Sequence, residues 1–242
     1  MSNDENQEEK DVEYEILPDD VNEVNYSFKI IVIGDSAVGK SSLTLKGTKD
    51  HFKDFYTPTI GFEFLSFNIR IKDKIVKLQI WDTCGQEVYR SLISSFYRNS
   101  SLAIIVYAID NQESFDNLES WLDEIKSQTH PYLKIFLIGN KVDLEDKRVV
   151  TKENVNDLCD THDIKYFLET SAKTGFNAKN IFIEAAKVLY EQHIKLKDRM
   201  SRTESLGYIN NDEGKRSNIE SMERLEEKEN NEKKRKKCCL YT

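Results

Sequence analysis

Between residue 28 and about residue 194, short apolar runs alternate with amphipathic stretches of helix length. A chain patterned this way buries both its periodicities only as a parallel sheet with helices on its faces, which predicts an α/β fold. The runs at 28–33, 102–108, 134–138 and 164–168 are almost continuously apolar, as strands covered on both sides must be. The runs at 62–71 and 75–81 flank the polar triplet Lys72, Asp73 and Lys74, which predicts a hairpin and hence one antiparallel strand at an edge. Helices are predicted after Gly39, over 114–127, over 151–159 and from Asn177 to about Lys195. Thr151 followed by Asn154 gives a partial capping signal, and Asn177 before Ala178, Ile181, Ala185 and Val188 a stronger one.

The ends differ from the middle. Of the 242 residues, the first 25 carry ten acids against one lysine, whereas residues 26–195 are roughly balanced, so the net charge of −8 belongs mainly to the N-terminal segment. Few apolar residues and strong self-repulsion predict a mobile acidic arm over 1–25. Residues 26–195 form the predicted single domain, and 196–242, with scattered charges and few apolar anchors, a flexible tail. No run reaches the 18 or so apolar residues of a membrane span, and the acidic start is unlike a secretory signal, so synthesis in the cytosol is expected. The four cysteines, Cys84, Cys159, Cys238 and Cys239, have neither metal-ligand spacing nor disulfide-scaffold density. An acidic chain with moderate aromatic content gives no reason to expect a nucleic-acid partner.

The stretch Gly34, Asp35, Ser36, Ala37, Val38, Gly39, Lys40, Ser41 follows an apolar strand and opens a helix, the context of a phosphate-binding loop. Its glycines let successive amides converge on one anion, the helix N-terminus (with Ser42) adds positive potential, Lys40 reaches the outer phosphates, and Ser41 offers a hydroxyl to magnesium. The loop alone leaves ATP and GTP open. Asn140, Lys141 and Asp143 follow the run ending at Ile138, at the mouth of the sheet where open α/β folds bind nucleotides. A carboxylate at Asp143 accepts from the N1 and N2 donors of guanine, which adenine does not supply together, so guanine is favoured. Ser171, Ala172 and Lys173 could add a backbone donor to the guanine oxygen, although by themselves they also read as a small-residue turn. Thr59 is a candidate for a loop closing on magnesium. In the run Asp82, Thr83, Cys84, Gly85, Gln86, Asp82 is placed to hold magnesium through water, Gly85 to approach the terminal phosphate, and Gln86 to orient the attacking water as the catalytic residue.

Taken together these residues resemble the Ras superfamily and, within it, the Rab family of vesicle-trafficking GTPases, over roughly residues 26–194 and the last few residues. Ile60-Gly61-Phe62-Glu63-Phe64, Lys77-Leu78-Gln79-Ile80-Trp81-Asp82-Thr83, Phe96-Tyr97-Arg98-Asn99-Ser100 and Ile105-Val106-Tyr107 carry the likeness. The resemblance implies a phosphate-loop NTPase fold of small-G-protein type: a mostly parallel six-stranded sheet with one antiparallel edge strand and helices on both faces. It also implies slow GTP hydrolysis with Mg²⁺, Phe52 covering the guanine edge-on, and an effector surface of Ile60, Phe64, Trp81 and Phe96. The implied partners are GTP-dependent effectors, an exchange factor, a GTPase-activating protein, a GDP-dissociation inhibitor and a prenyltransferase. Cys84 stands where the family usually has alanine, fitting either a small buried residue or a redox-sensitive one. Asn99-Ser100, Ala108 and Val88-Tyr89 also depart from the family's usual residues.

The chain ends on the basic run 233–237 followed by Cys238, Cys239, Leu240, Tyr241 and Thr242. The last four residues have the form of a prenylation box, and the double cysteine is similar to Rab ends, which carry two geranylgeranyl groups. Two lipids plus a basic cluster give firm attachment where one gives marginal binding. The resulting expectation is a protein shared between the cytosol and the cytoplasmic face of intracellular membranes. A nuclear-import-like patch or a solvated tail is the alternative reading of the basic run.

Overall fold

The computed structural model describes residues 13–21, 23–54, 59, 61–85, 97–130 and 132–205, with side chains to residue 199. Residues through His193 form one compact unit, and Ile194 onward belong to a second. The elements of the first unit are β1 (Tyr14–Leu17), β2 (Tyr26–Ile33), α1 (Lys40–Lys49), β3 (Phe62–Ile71), β4 (Lys74–Thr83) and β5 (Leu102–Ala108). There follow α2 (Gln112–Asp116), α3 (Leu118–Gln128), β6 (Lys134–Asn140), a short 3-10 segment (Val142–Lys147), α4 (Lys152–His162), β7 (Tyr166–Glu169) and α5 (Asn180–Ser205), which continues past the unit's end.

The strands form one sheet in the order β1-β3-β4-β2-β5-β6-β7. β2 pairs in parallel with β4 and β5, β5 with β6, and β6 with β7; β3 runs antiparallel to both β4 and β1, so it alone opposes the other six. All seven residues of β5 are buried, because helices cover both of its faces. The two-residue period of the strands divides the core. Ile30 and Val32 of β2, with Leu102, Ile104 and Val106 of β5, meet Leu43 of α1 and Ile181, Phe182 and Ala185 of α5. Ile31 and Ile33, with Ala103, Ile105 and Tyr107, meet Leu118, Trp121, Leu122 and Ile125 of α3 and Val155 of α4. The chain winds to one side of β2 through β3 and β4 and to the other through β5, β6 and β7, so the C-terminal end of β2 is the topological switch point.

Three expectations are corrected. The sheet has seven strands, not six, and its antiparallel strand β3 is not at the edge, because residues 14–17 of the segment read as a disordered arm pair with β3 from Tyr14↔Ile71 to Leu17↔Asn68 and form the edge themselves. Composition hid this strand because edge pairing satisfies backbone groups and needs little apolar burial: Tyr14 and Ile16 stay 43% and 40% exposed. Side chains fasten it: Glu15 pairs with Arg70, Asp19 with Lys49, Lys187 Nζ lies 5.1 Å from the Tyr14 ring centroid, and Asn68 Nδ2 donates to Pro18 O at 2.8 Å. The rest of the expected arm, residues 1–12 and 22, lies outside the described residues. The single helix expected over 114–127 is two, α2 and α3, and Asn111 caps the first by accepting from Ser114 N. Asn177 does not cap α5; at φ 53° it donates to Glu169 O at 2.9 Å, and the helix starts at Asn180 and runs to Ser205, beyond the expected Lys195. The hairpin and the Thr151 cap are as expected, with Thr151 Oγ1 accepting from Asn154 N at 3.2 Å.

Asn68 is 2% exposed, so its side of the bond to the exposed Pro18 is shielded from water. Asn68→Ala is expected to cost about 1–2 kcal/mol, the usual worth of a buried hydrogen bond to the backbone, and thermal unfolding of the variant should drop by a few degrees. An unchanged melting temperature would mean that the Asn68–Pro18 bond adds nothing to stability.

Candidate functional site

A cleft of about 580 Å³ opens where β2, β4 and β6 end, lined by Ser36, Ala37, Gly39, Lys40, Ser41, Ser42, Phe52, Thr59, Gly85, Asn140, Lys141, Asp143, Ala172 and Lys173 among others. Most of the phosphate-loop residues, the guanine-reading candidates and the magnesium candidates, separated by up to a hundred residues or more in the chain, thus share one cavity, while Asp82 and Ser171 do not line it but bond to Ser41 and Asp143, which do. Its floor is the N-terminus of α1. Gly39 precedes that helix without a side-chain cap and no acid stands in the first turn, so the orphan amides and the positive end of the helix dipole face the cleft. At φ 96°, with a Cβ that would lie 2.4 Å from Asn140 Nδ2, only glycine serves at position 39. Ala37 takes a left-handed φ of 61°, which costs an alanine about 1 kcal/mol.

Lys40 is 5% exposed and donates to Gly34 O at 2.9 Å and Asp35 O at 2.6 Å. Burial pushes its ammonium down to about 8, against the opposing pull of Asp82, Asp35 and Cys84. Asp82 is fully buried and its carboxyl is pushed up to about 6 by the same loss of water, opposed by its bond from Ser41 and by the charge of Lys40. Each charge is held against its own desolvation, and an anion beside Lys40 or a cation beside Asp82 would relieve it.

The magnesium candidates converge. Ser41 Oγ lies 2.7 Å from Thr59 Oγ1 and bonds to Asp82 Oδ2, while Asp82 Oδ1 is buried with no hydrogen-bond partner among the described residues. An unpartnered buried carboxylate oxygen beside two hydroxyls is a hard-oxygen donor set. It fits Mg²⁺, which takes few protein ligands and completes its shell with phosphate oxygens and water. No group of three or more His, Cys, Asp or Glu that could hold a metal occurs among the described residues, consistent with so sparse a set.

The base-reading end is held by one amide. Asn140, 1% exposed, donates from Nδ2 to Val38 O at 2.9 Å, and its Oδ1 accepts from Thr170 Oγ1 and Ala172 N, both at 3.2 Å. It ties the phosphate loop to the segment after β7. Ser171 Oγ donates to Asp143 Oδ1 at 2.6 Å, which orients that carboxylate and leaves lone pairs for further donors. The amides expected to serve the base are partly spent within the protein, Ser171 N on Phe176 O and Ala172 N on Asn140, while Lys173 borders the cleft. Lys141, at φ 71°, points its ammonium toward Asp110, 3.5 Å away.

Two loop residues take unexpected roles. Val38 is 1% exposed and packs in the core, contributing its carbonyl. Asp35 does not line the cleft: its carboxylate accepts from Asn117 Nδ2 at 2.7 Å and Trp121 Nε1 at 2.8 Å. Reading the sequence did not find Asn117, Trp121 or Thr170, whose partners lie 30 to 86 positions away. Nor did it find Thr83, whose Oγ1 donates to Val32 O at 2.8 Å and locks the end of β4 to β2. Cys84 is 2% exposed, as a small buried residue would be. On the hairpin, Phe62 and Phe64, each 49% exposed, flank Trp81 with ring centroids 5.2 and 5.3 Å away. Ile60, Gln86, Phe96, Val88, Tyr89, Cys238 and Cys239 lie outside the described residues.

A capless helix N-terminus, a buried lysine at its first position and a carboxylate–hydroxyl set beside both define a phosphate-loop nucleotide-binding protein. The family model described as the Ras family matches residues 29–191, and the chain belongs to the Ras family. It is a small GTPase, a class that binds guanine nucleotide, typically with Mg²⁺, and works as a switch with regulators and effectors.

Proposed function

We propose that this small GTPase is a Rab-type switch that cycles between GTP and GDP, recruits effectors to membranes in its GTP state, and so regulates vesicle trafficking. The observation that carries the trafficking reading is the aromatic surface of Phe62, Phe64 and Trp81 on the β3–β4 hairpin, which lies between Thr59 and Gly85 in the chain. An effector that reads these rings reads a surface flanked by the two segments that nucleotide state would move. Ile60 and Phe96 complete that surface by resemblance.

In the hydrolytic cycle Mg²⁺ supplies charge neutralisation at the phosphates. Lys40 and the amides of residues 36–42 bind and orient the phosphates, Asp143 with Lys173 and Phe52 holds the guanine, and Ser41, Thr59 and Asp82 hold the metal. Gln86 orients the water that attacks. Thr59 and Gly85 relax once the terminal phosphate leaves, and the effector surface changes with them. Among the described residues no arginine lines the cleft to stabilise the developing charge, so turnover alone is slow and an arginine from an activating protein accelerates it about 10³- to 10⁵-fold. Prenylation of Cys238 and Cys239 by a prenyltransferase, with the basic run 233–237, anchors the protein to the cytoplasmic face of an intracellular membrane. An exchange factor and a GDP-dissociation inhibitor would load it and extract it.

Single-turnover GTP hydrolysis tests the enzymatic step: Gln86→Leu should slow it roughly tenfold or more through loss of nucleophile positioning, and equal rates would remove Gln86 from the mechanism. Mass spectrometry of the cell-derived C-terminus should find two prenyl groups. A pull-down from lysate on GTP- and GDP-loaded protein should enrich membrane-trafficking proteins only with GTP, and equal capture in both states would support a static docking module instead.

A further inference from the structure

The phosphate loop stands on two supports. On the C-terminal side Val38 is buried and its carbonyl is bonded by Asn140. Ser36 and Ala37 between the supports are exposed, with no core packing of their own. The N-terminal support is Asp35, whose backbone and side chain are engaged in opposite directions. Its carbonyl accepts Lys40 Nζ at 2.6 Å and presses on Gly85, where a Cβ would come within 2.4 Å of that oxygen. Its carboxylate is taken, one oxygen each, by Asn117 Nδ2 and Trp121 Nε1.

The donors are arranged for this acceptor. Asn117 sits at the N-cap position of α3, where an asparagine ordinarily caps its own helix, yet its side chain makes no cap bond and reaches the loop 82 positions earlier. Trp121 follows one turn later on the same face, 1% exposed, and a buried indole N–H requires a partner. Two hydrogen bonds to a carboxylate, each worth more than neutral ones, fix Asp35 and through it the carbonyl that meets Lys40.

We infer that Asn117 and Trp121 are positioning residues for the phosphate loop: by clamping the Asp35 carboxylate to α3 they hold the amide cradle in its binding shape and set how slowly nucleotide leaves. The inference rests on the reading of this loop as the nucleotide site and names the part of the fold outside the cleft that tunes it.

The test is release of a fluorescent GDP analogue from the magnesium-loaded full chain, with ³¹P NMR of bound GDP. Trp121→Phe, which keeps an aromatic ring and removes the N–H, and Asn117→Ala should each speed release about tenfold and shift the β-phosphorus resonance. Asn117→Asp, which sets a like charge against Asp35, should release faster than Asn117→Ala. Adding Asp35→Asn to it lets the new amide donate to the new carboxylate and should bring release back toward the wild-type rate, which a general loss of packing would not do. Unchanged release and resonances in both single variants, or a double variant no slower than Asn117→Asp, would overturn the inference. A wild-type protein that retains no GDP would overturn the site reading and this inference with it.

Discussion

Asp143→Asn is expected to convert the protein from a guanine-nucleotide binder to a xanthine-nucleotide binder. Ser171 Oγ holds Asp143 Oδ1 at 2.6 Å, so the carboxylate is oriented at the mouth of the cleft. Guanine presents two donors, N1–H and the 2-amino group, to such a carboxylate. An asparagine there presents one acceptor and one amine, which leaves a guanine donor facing an amide N–H. Losing hydrogen bonds to a charged group at about 1.5–3 kcal/mol each should weaken GDP binding by roughly a hundredfold or more. Xanthine has a carbonyl where guanine has its amino group, and the amide N–H donates to it, so xanthosine diphosphate should bind the variant better than GDP does. Competition against a fluorescent nucleotide with GDP and xanthosine diphosphate reads the effect, and an unchanged preference for GDP would remove Asp143 from base selection. Asn140 should not behave this way: its amide already ties Val38, Thr170 and Ala172 together, so its loss would loosen the whole site.

Gly85→Ala is expected to disable the triphosphate state selectively. A Cβ on Gly85 would come within 2.4 Å of both Asp35 O and Lys40 Nζ, a distance that no side chain tolerates. The Asp35 carbonyl cannot retreat, because its residue is fixed from behind by α3. The strain therefore falls on Lys40 or on the segment after Asp82, both assigned here to the outer phosphates. Overpacking a close contact costs about 1–3 kcal/mol, so the affinity for a non-hydrolysable GTP analogue should fall roughly 10- to 100-fold relative to GDP. Equilibrium titration with both nucleotides measures the ratio. A ratio equal to that of the wild type would show that Gly85 does not approach the terminal phosphate.

Much of this molecule was legible in its sequence because the dominant signals are local. The buried strands declare themselves by apolar runs, the turn at Lys72 and Asp73 by polarity between two such runs, and the phosphate loop by glycines and lysine at fixed spacing after one of them. Asn140, Asp143, Ser41, Thr59 and Asp82 could be assigned to one cleft because an open α/β sheet brings its strand ends together at the switch point. What stayed hidden depends on pairing at a distance. Tyr14–Leu17 is four residues inside an acidic stretch, and its strand character comes from the β3 edge, to which it lends backbone groups. Asp35 looked like a cleft residue because it belongs to the loop motif. Only the tertiary structure shows its carboxylate turned toward Asn117 and Trp121, where a helix period put two donors on one face. Asn177 looked like a cap because asparagine often is one. Its donation to Glu169 O instead closes across the loop between β7 and α5 that carries Lys173.

The most direct test of the central claim is equilibrium competition for the purified full chain in magnesium buffer, with GDP, GTP and ATP displacing a fluorescent guanine nucleotide. Displacement by GDP and GTP at concentrations far below that needed for ATP is the predicted result. Displacement by ATP at the same concentration, or no retention of the guanine probe, would contradict it.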